Sequence, residues 1–370
     1  SPSKRRKYGN DDDEKLLRFW NALKGGKVEE HDGGQFLELS GDVYYLLGKD
    51  EQGSDISALF IRECYHHLSN IIFENENIRR WRITGNPGIG KTFFGYYLLY
   101  LLSQQHKTVV YHRLDKSPIL FSEKDAFSHI DDNIHAFKDY LANEEVWYIV
   151  DGRKPKEYVA KTILICSPQK RHYSSFDKLG TTIRYMPVWS WEEIDACRIK
   201  LFRNLTQGHV RKLYNKWGGI PRFTLFYALN VSQQNLLQSA INSVNDNLLN
   251  FVGETTDDNS ASHKIVHICT NIPKGEDGEE GGESVGDVEI TEVEDNPGEP
   301  STSQSSAVTR SVTRPDKRKS VIGNGDPFYS MSTLEFASDY VSEEVMDKLI
   351  KNYRDQLENF VKASSPISDY

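Results

Sequence analysis

Apolar residues are almost absent from the first fifteen positions, SPSKRRKYGNDDDEK, and then return with a clear period. Leu16, Leu17, Phe19, Trp20 and Leu23 predict a short amphipathic helix that stops at Gly25 and Gly26. A second helix is predicted over residues 56–72, carrying Leu59, Phe60, Tyr65, Leu68 and Ile72. From Trp81 the pattern changes to short, mostly apolar runs at 81–84, 108–112, 146–150, 162–166 and 183–186, with helical segments at 91–105 and 127–141 between them. Such runs predict an α/β fold with a parallel sheet covered by helices on both faces. After Trp189 the pattern is helical throughout, at 192–205, 209–217, 223–229 and 233–252. Residues 255–325 are rich in Gly, Ser, Glu and Pro and predict disorder. A final amphipathic pair follows, with Leu334, Phe336, Tyr340, Val345, Leu349, Tyr353, Leu357 and Phe360 as its apolar positions. The chain thus divides into a basic and acidic tail (1–15), a helical or mixed segment (16–78), an α/β core (79–190), a helical subdomain (191–252), an acidic linker (253–326) and a C-terminal helical segment (327–370).

Charge refines this division. The chain has 370 residues and a net charge of −9, but the stretch 276–299 alone holds eleven acidic residues and no basic one. Outside it the charges nearly balance, which excludes a uniformly acidic or uniformly basic protein. Four cysteines sit far apart with no CxxC pairing, so neither a disulfide framework nor a cysteine zinc cluster organises the fold. No apolar run reaches the roughly 18–20 residues of a membrane span, and no membrane partner is expected. The chain opens on Ser1 rather than Met, so a further segment upstream is expected.

The strongest chemical signal is the run Gly85, Asn86, Pro87, Gly88, Ile89, Gly90, Lys91, Thr92, which satisfies G-x-x-x-x-G-K-[ST] in full. It follows a predicted strand and opens a predicted helix. Glycines let the backbone N–H groups turn toward phosphate oxygens, and the helix N-terminus adds partial positive charge. Lys91 is expected at the β- and γ-phosphates, and the Thr92 hydroxyl on Mg²⁺. ATP or another NTP with Mg²⁺ is therefore the expected ligand, with Lys91 and Asp151 as the catalytic pair. Asp151 follows five apolar residues, 146–150, where a strand meets the ligand crevice, and is the expected second metal ligand.

A water-orienting Glu commonly follows that Asp, but here Gly152 and Arg153 follow it, and Glu157 comes too late to be placed. Binding is therefore better supported than turnover, and slow hydrolysis aided by a neighbouring copy is expected. Two further features admit two readings each. Ser167 and Gln169, after the strand at 162–166, either sense the γ-phosphate or merely end the strand at Pro168. In Gly218-Gly219-Ile220-Pro221-Arg222, either a helix cap is followed by a first-turn proline, or Pro221 packs on the base and Arg222 reaches the phosphates.

The phosphate loop, LFIRECY (59–65), ICSPQ (165–169), MPVWSWEEI (186–194) and GGIPR (218–222), taken together, resemble the Crinkler effectors of fungi and oomycetes and the ATPase domain of trypanosome retrotransposon-hot-spot proteins. The resemblance covers roughly 55–230 and, more weakly, FASDYV (336–341). It implies an AAA+/STAND-like P-loop NTPase, export from the microbe and action in the host nucleus on a protein or nucleic acid. The family's LFLAK-type translocation segment is not seen, nor is an HNH motif or a kinase catalytic loop. Lys4, Arg5, Arg6 and Lys7, with Lys317, Arg318 and Lys319, form two basic clusters that read as nuclear-import signals or as solvated charge. The competing expectations are an exported effector switch, an intracellular STAND-type NTPase that oligomerises, and a non-hydrolysing scaffold. Self-association into a dimer or larger homo-oligomer is expected in the first two.

Overall fold

The computed structural model describes residues 10–47, 56–129, 133–244, 263–273 and 327–364. Helix α1 (Asn10–Lys24) begins inside the expected tail and buries Phe19, Trp20 and Leu23. Strands β1 (Lys27–His31), β2 (Gly34–Glu38) and β3 (Ala58–Ile61) form a small antiparallel sheet in that order. Here the expected helix at 56–72 is corrected. All four residues of β3 are buried, as a strand covered on both sides requires, and helix α2 (Glu63–Glu74) starts only after Arg62. Tyr65, Leu68 and Ile72 keep the helical spacing; Leu59 and Phe60 belong to the strand.

Strand β4 (Arg80–Thr84) leads into helix α3 (Lys91–Gln104), and β5 (Val109–Arg113) follows. The expected helix at 127–141 is also corrected. Strands β6 (Ile119–Phe121) and β7 (Ala126–Ser128) turn back antiparallel through Ser122–Asp125, where Asp125 N–H donates to Ser122 Oγ at 3.1 Å. Helical backbone begins only past Asn133, whose side chain accepts from His135 N–H, giving a 3₁₀ turn (Ile134–Phe137) and the short α4 (Lys138–Leu141). Strands β8 (Trp147–Asp151) and β9 (Lys161–Ile165), helix α5 (Lys170–Asp177) and strand β10 (Thr182–Tyr185) complete the core.

Among the described residues the main sheet has seven strands in the order β10-β4-β9-β8-β5-β6-β7. It is parallel from β10 to β5 and antiparallel at the β6–β7 edge. Side chains alternate across it, as the two-residue period of a strand dictates. Val109, Tyr111, Trp147, Ile149, Ile163 and Ile165 enter the core shared with α3 and α2. On the opposite face Val110, Tyr148, Val150, Leu164 and Cys166 pack with Phe137, Leu141, Tyr173 and Phe176. Both faces are thus dry, which explains the unbroken apolar runs in the sequence.

Helices α6 (Trp191–Leu201) and α7 (Gln207–Trp217) follow in the stretch expected to be helical. The expected helix at 223–229 is a single π turn, Arg222–Phe226, closed by Tyr227 N–H on Arg222 O at 2.8 Å. Helix α8 (Val231–Asn242) follows. Two further strands correct the expectation of an all-helical end: β11 (Val266–Thr270), within the stretch expected to be disordered, and β12 (Ser332–Phe336), which pairs with it antiparallel. One helix, α9 (Asp339–Ser364), replaces the expected pair.

The turn after α7 passes so close to the segment after β10 that only glycine fits. Trp189 N–H donates to Gly219 O at 2.9 Å, and a Cβ on Gly219 would lie 1.9 Å from Trp189 O. The Gly219→Ala variant must move backbone, and the expected loss of stability is about 1–3 kcal/mol or more. Gly208 of α7 has no neighbour within 4 Å of such a Cβ, so Gly208→Ala should be neutral or stabilising. Comparing denaturant midpoints of the two variants checks this; equal midpoints would contradict it.

Candidate nucleotide site

The loop between β4 and α3 is built for tight curvature. Gly88 and Gly90 both hold φ of +88°, a left-handed backbone that favours glycine. A Cβ on Gly88 would also lie 2.8 Å from the Cβ of Arg222. The loop carbonyls face protein donors. Lys91 Nζ donates to Gly85 O (2.8 Å) and Asn86 O (2.7 Å), and Arg222 N–H to Gly88 O (3.3 Å). The Trp189 indole N–H reaches Ile89 O (2.8 Å), and the Tyr65 hydroxyl reaches Gly90 O (3.0 Å).

Lys91 is half-buried beneath this loop, and desolvation pulls its pKa down to about 8, with Arg222 adding to the lowering and Cys166 and Asp151 opposing it. Asp151 ends β8 and is 6% exposed. Burial pushes its carboxyl above the usual range, against hydrogen bonds from Thr92 and Tyr111 and the positive charges of Arg113 and Lys91. Tyr111 Oη donates to Asp151 Oδ2 at 3.3 Å, and Arg113 Nε lies 4.0 Å from the same oxygen. Lys91, Thr92 and Asp151 therefore form one polar cluster beneath the loop. The strand that carries Asp151 is not the neighbour of β4, because β9 lies between them.

β9 places Ser167 at the loop's end of the sheet, since Cys166 N–H bonds Ile83 O at 3.1 Å. Gln169 turns to its own segment: its N–H bonds Ser167 O and its Oε1 accepts from Arg171 Nε at 3.0 Å. Pro221 precedes the π turn, and Arg222 sits against Gly88. Glu157 pairs with Arg80, at the opposite end of β4 from the loop. The clusters Lys4–Lys7 and Lys317–Lys319 lie outside the described residues.

Sequence reasoning missed the residues that shape the loop from outside. Arg62 forms a bidentate pair with Glu193 and donates to the carbonyls of Pro187 and Val188, fixing the segment that carries Trp189. The runs LFIRECY and MPVWSWEEI thus meet each other and the loop, which gives their co-occurrence a physical reason. A third missed contributor is β11. Asn86, fully buried, bonds the Ile268 backbone twice.

Two histidines of that segment are held neutral. Burial lowers His267 to about 3 with His263 adding to it, and lowers His263 to about 4 with Lys91 adding to it. Their depressed folded values mean that stability is fully present above the unfolded pKa, about 6.5, and is lost as pH falls below it. At pH 5.5 the linkage costs about 1 kcal/mol for His267 and less for the partly exposed His263. Thermal midpoints should therefore drop between pH 6.5 and 5, and less steeply in His267→Gln; an unchanged slope in that variant would contradict the assignment.

Comparison with known proteins places this site in context. No family model matches the chain. Crinkler effector protein 15 of Phytophthora infestans is 26% identical over 230 residues, 58% of this chain and 37% of the relative. Crinkler effector protein 16 of the same organism is 26% identical over 196 residues, 50% of this chain and 31% of the relative. The matches thus span about a third of the length of these relatives. Among solved structures, the RuvB Holliday junction branch migration motor of Thermotoga maritima is similar at a TM-score of 0.30 and 10% identity, over 48% of this chain and 64% of that one, a likeness too slight to bear on the fold. Among the described residues no helix is long and apolar enough to cross a membrane.

Proposed function

We propose, for a chain that is Crinkler-like in sequence, that the loop 85–92 binds ATP or a related nucleotide with Mg²⁺ in an AAA+/STAND-like P-loop NTPase domain. The observation that carries this is the convergence of Lys91, Thr92 and Asp151 beneath a loop whose carbonyls are taken by protein donors. Carbonyls turned to the protein leave the opposite face of the loop to N–H groups, the arrangement that receives phosphate. Thr92 and Asp151 would supply oxygens for Mg²⁺, and Arg222 adds a cation at Gly88. The ion would neutralise charge between the β- and γ-phosphates.

Turnover is expected to be slow. The residue after Asp151 is Gly152 with φ of +72°, a conformation that disfavours a glutamate, and Glu157 is tied to Arg80. A hydrolytic group would then come from a neighbouring copy, so self-association belongs to this reading. A nucleotide-binding scaffold without hydrolysis is the second reading, favoured by the same Gly152.

We extend this reading to export and action in a host nucleus on a protein or nucleic acid, with the Crinkler likeness and the basic clusters at Lys4–Lys7 and Lys317–Lys319 as its support. Calorimetric titration with ATP, with and without Mg²⁺, tests the binding; no heat in either condition would end it. Neutralising both basic clusters in a tagged protein tests the address, and undiminished nuclear accumulation would refute their role.

A further inference from the structure

We propose that β11 is a working part of the nucleotide site and that Asn86 is the positioning residue that ties it to the phosphate loop, an inference that rests on the nucleotide-binding reading above. The argument starts from the Asn86 side chain. It is fully buried at the second position of the loop, where a polar amide is costly unless both its ends are satisfied. Its Nδ2 donates to Ile268 O at 2.9 Å, and its Oδ1 accepts Ile268 N–H at 2.9 Å. A carboxamide has the same donor and acceptor as a peptide group, so Asn86 pairs with Ile268 as a neighbouring strand would.

Ile268 needs that partner. It lies opposite Leu334 in the β11–β12 register, and its N–H and C=O point to Asn86, away from β12. With Ile268 only 3% exposed, these two backbone groups would otherwise be orphaned in the interior. The loop and the strand therefore complete each other across 182 positions of sequence.

The strand pair is also fixed on its other sides. Ala337 N–H bonds Ile265 O at 2.8 Å, and Tyr329 joins Asn271 O to β10 through Tyr185 N–H on its own carbonyl at 2.7 Å. The Tyr329 hydroxyl lies 2.8 Å from His67 Nδ1 of α2. A Cβ on Gly218 would fall 2.3 Å from Ala337 O and 3.1 Å from the His267 ring, so the same strap abuts the turn that presents Pro221 and Arg222. It thus touches both halves of the site.

Two consequences follow. Loosening the strap should weaken nucleotide binding, because the loop loses the support that sets its curvature. By reciprocity, nucleotide on the loop must favour docking of the strap.

Amide hydrogen exchange over residues 266–270, with and without ATP and Mg²⁺, tests the second consequence in the wild-type protein. Protection there should rise about tenfold on binding, equivalent to about 1.4 kcal/mol. Asn86→Ala on the loop and Ile268→Pro on the strap, which removes the donated N–H, test the first. Each should weaken nucleotide binding roughly tenfold, and the double variant should be no weaker than the worse single one, since both break one contact. Exchange that nucleotide leaves unchanged over 266–270, or single variants that bind as the wild type does, would overturn the inference while leaving nucleotide binding itself intact. A wild-type protein that binds no nucleotide would overturn both. The exchange measurement requires no variant, so it decides the matter even where a substitution prevents folding.

Discussion

Glu193→Ala is expected to lower the unfolding free energy by about 3–5 kcal/mol, the range for stripping the partner from a buried ion. The buried partner is Arg62, 1% exposed, which donates Nε to Glu193 Oε1 at 2.9 Å and Nη2 to Oε2 at 2.7 Å. Its remaining donors reach Pro187 O and Val188 O, each at 2.9 Å, and its guanidinium lies 5.0 Å from the centre of the Trp189 ring. Removing Glu193 leaves that guanidinium charged with no anion. It also removes one half of the capping box of α6, the bond from Ser190 N–H to Glu193 Oε2, while the backbone N–H of residue 193 keeps its bond to Ser190 Oγ. Glu193 is one-fifth exposed, so water reaches its end of the pair and the result should fall in the lower part of the range. Glu193→Gln keeps an acceptor for the cap and should lie between wild type and Ala. Urea unfolding of the three proteins separates these outcomes. A loss under about 1 kcal/mol for the Ala variant would mean that the pair behaves as a solvated surface bridge.

The consequence reaches the site, because Trp189 holds Ile89 O and Gly219 O holds Trp189 N–H. A loosened 186–193 segment therefore loosens the loop. None of this was legible in the apolar pattern, which marked Trp189 as the end of the strands and Arg62 as part of a helix. Strands β5, β8 and β9 were legible because each is a largely apolar run bounded by polar turns, the signature of burial on both faces, whereas β4 and β10 carry Arg82 and Arg184 and were legible from their place in the strand–helix alternation. Residues 58–61 defeated the same logic, since ALFI followed closely by Tyr65, Leu68 and Ile72 mimics one continuous helical stripe. β11 was hidden for a different reason. Ile265, Val266 and Ile268 are a short apolar island in a stretch whose average composition is that of a disordered linker, and its stabilising partners, Asn86 and β12, are far away in sequence. The polar members of the site were legible one by one, as motif positions. Which donors outside the loop motif fill its carbonyls was not, because the contacts of Tyr65, Trp189 and Arg222 join segments 25 to 134 positions apart.

Lys91→Ala is expected to weaken ATP binding about tenfold to a hundredfold, since charge-assisted hydrogen bonds to phosphate are worth about 1.5–3 kcal/mol each. The geometry adds a second, independent signature. Lys91 Nζ is held by two loop carbonyls in a partly desolvated setting that brings its pKa down to about 8. Two polyphosphate oxygens beside it favour the ammonium form and must raise that value. Binding near pH 8 therefore takes up part of a proton. Affinity should be fully present below pH 8 and should decline as pH rises above it, until the nucleotide-bound Lys91 itself deprotonates. Calorimetry at pH 8 in two buffers of different ionisation enthalpy reads the uptake directly, and Lys91→Met, which keeps the side-chain volume without the charge, should abolish it. Equal ATP affinity in wild type and Lys91→Ala would sink the assignment of Lys91 to the phosphates. A buffer-independent heat at pH 8, with affinity still lost in the variant, would place Lys91 as a support for the loop carbonyls of Gly85 and Asn86 and not as a phosphate ligand.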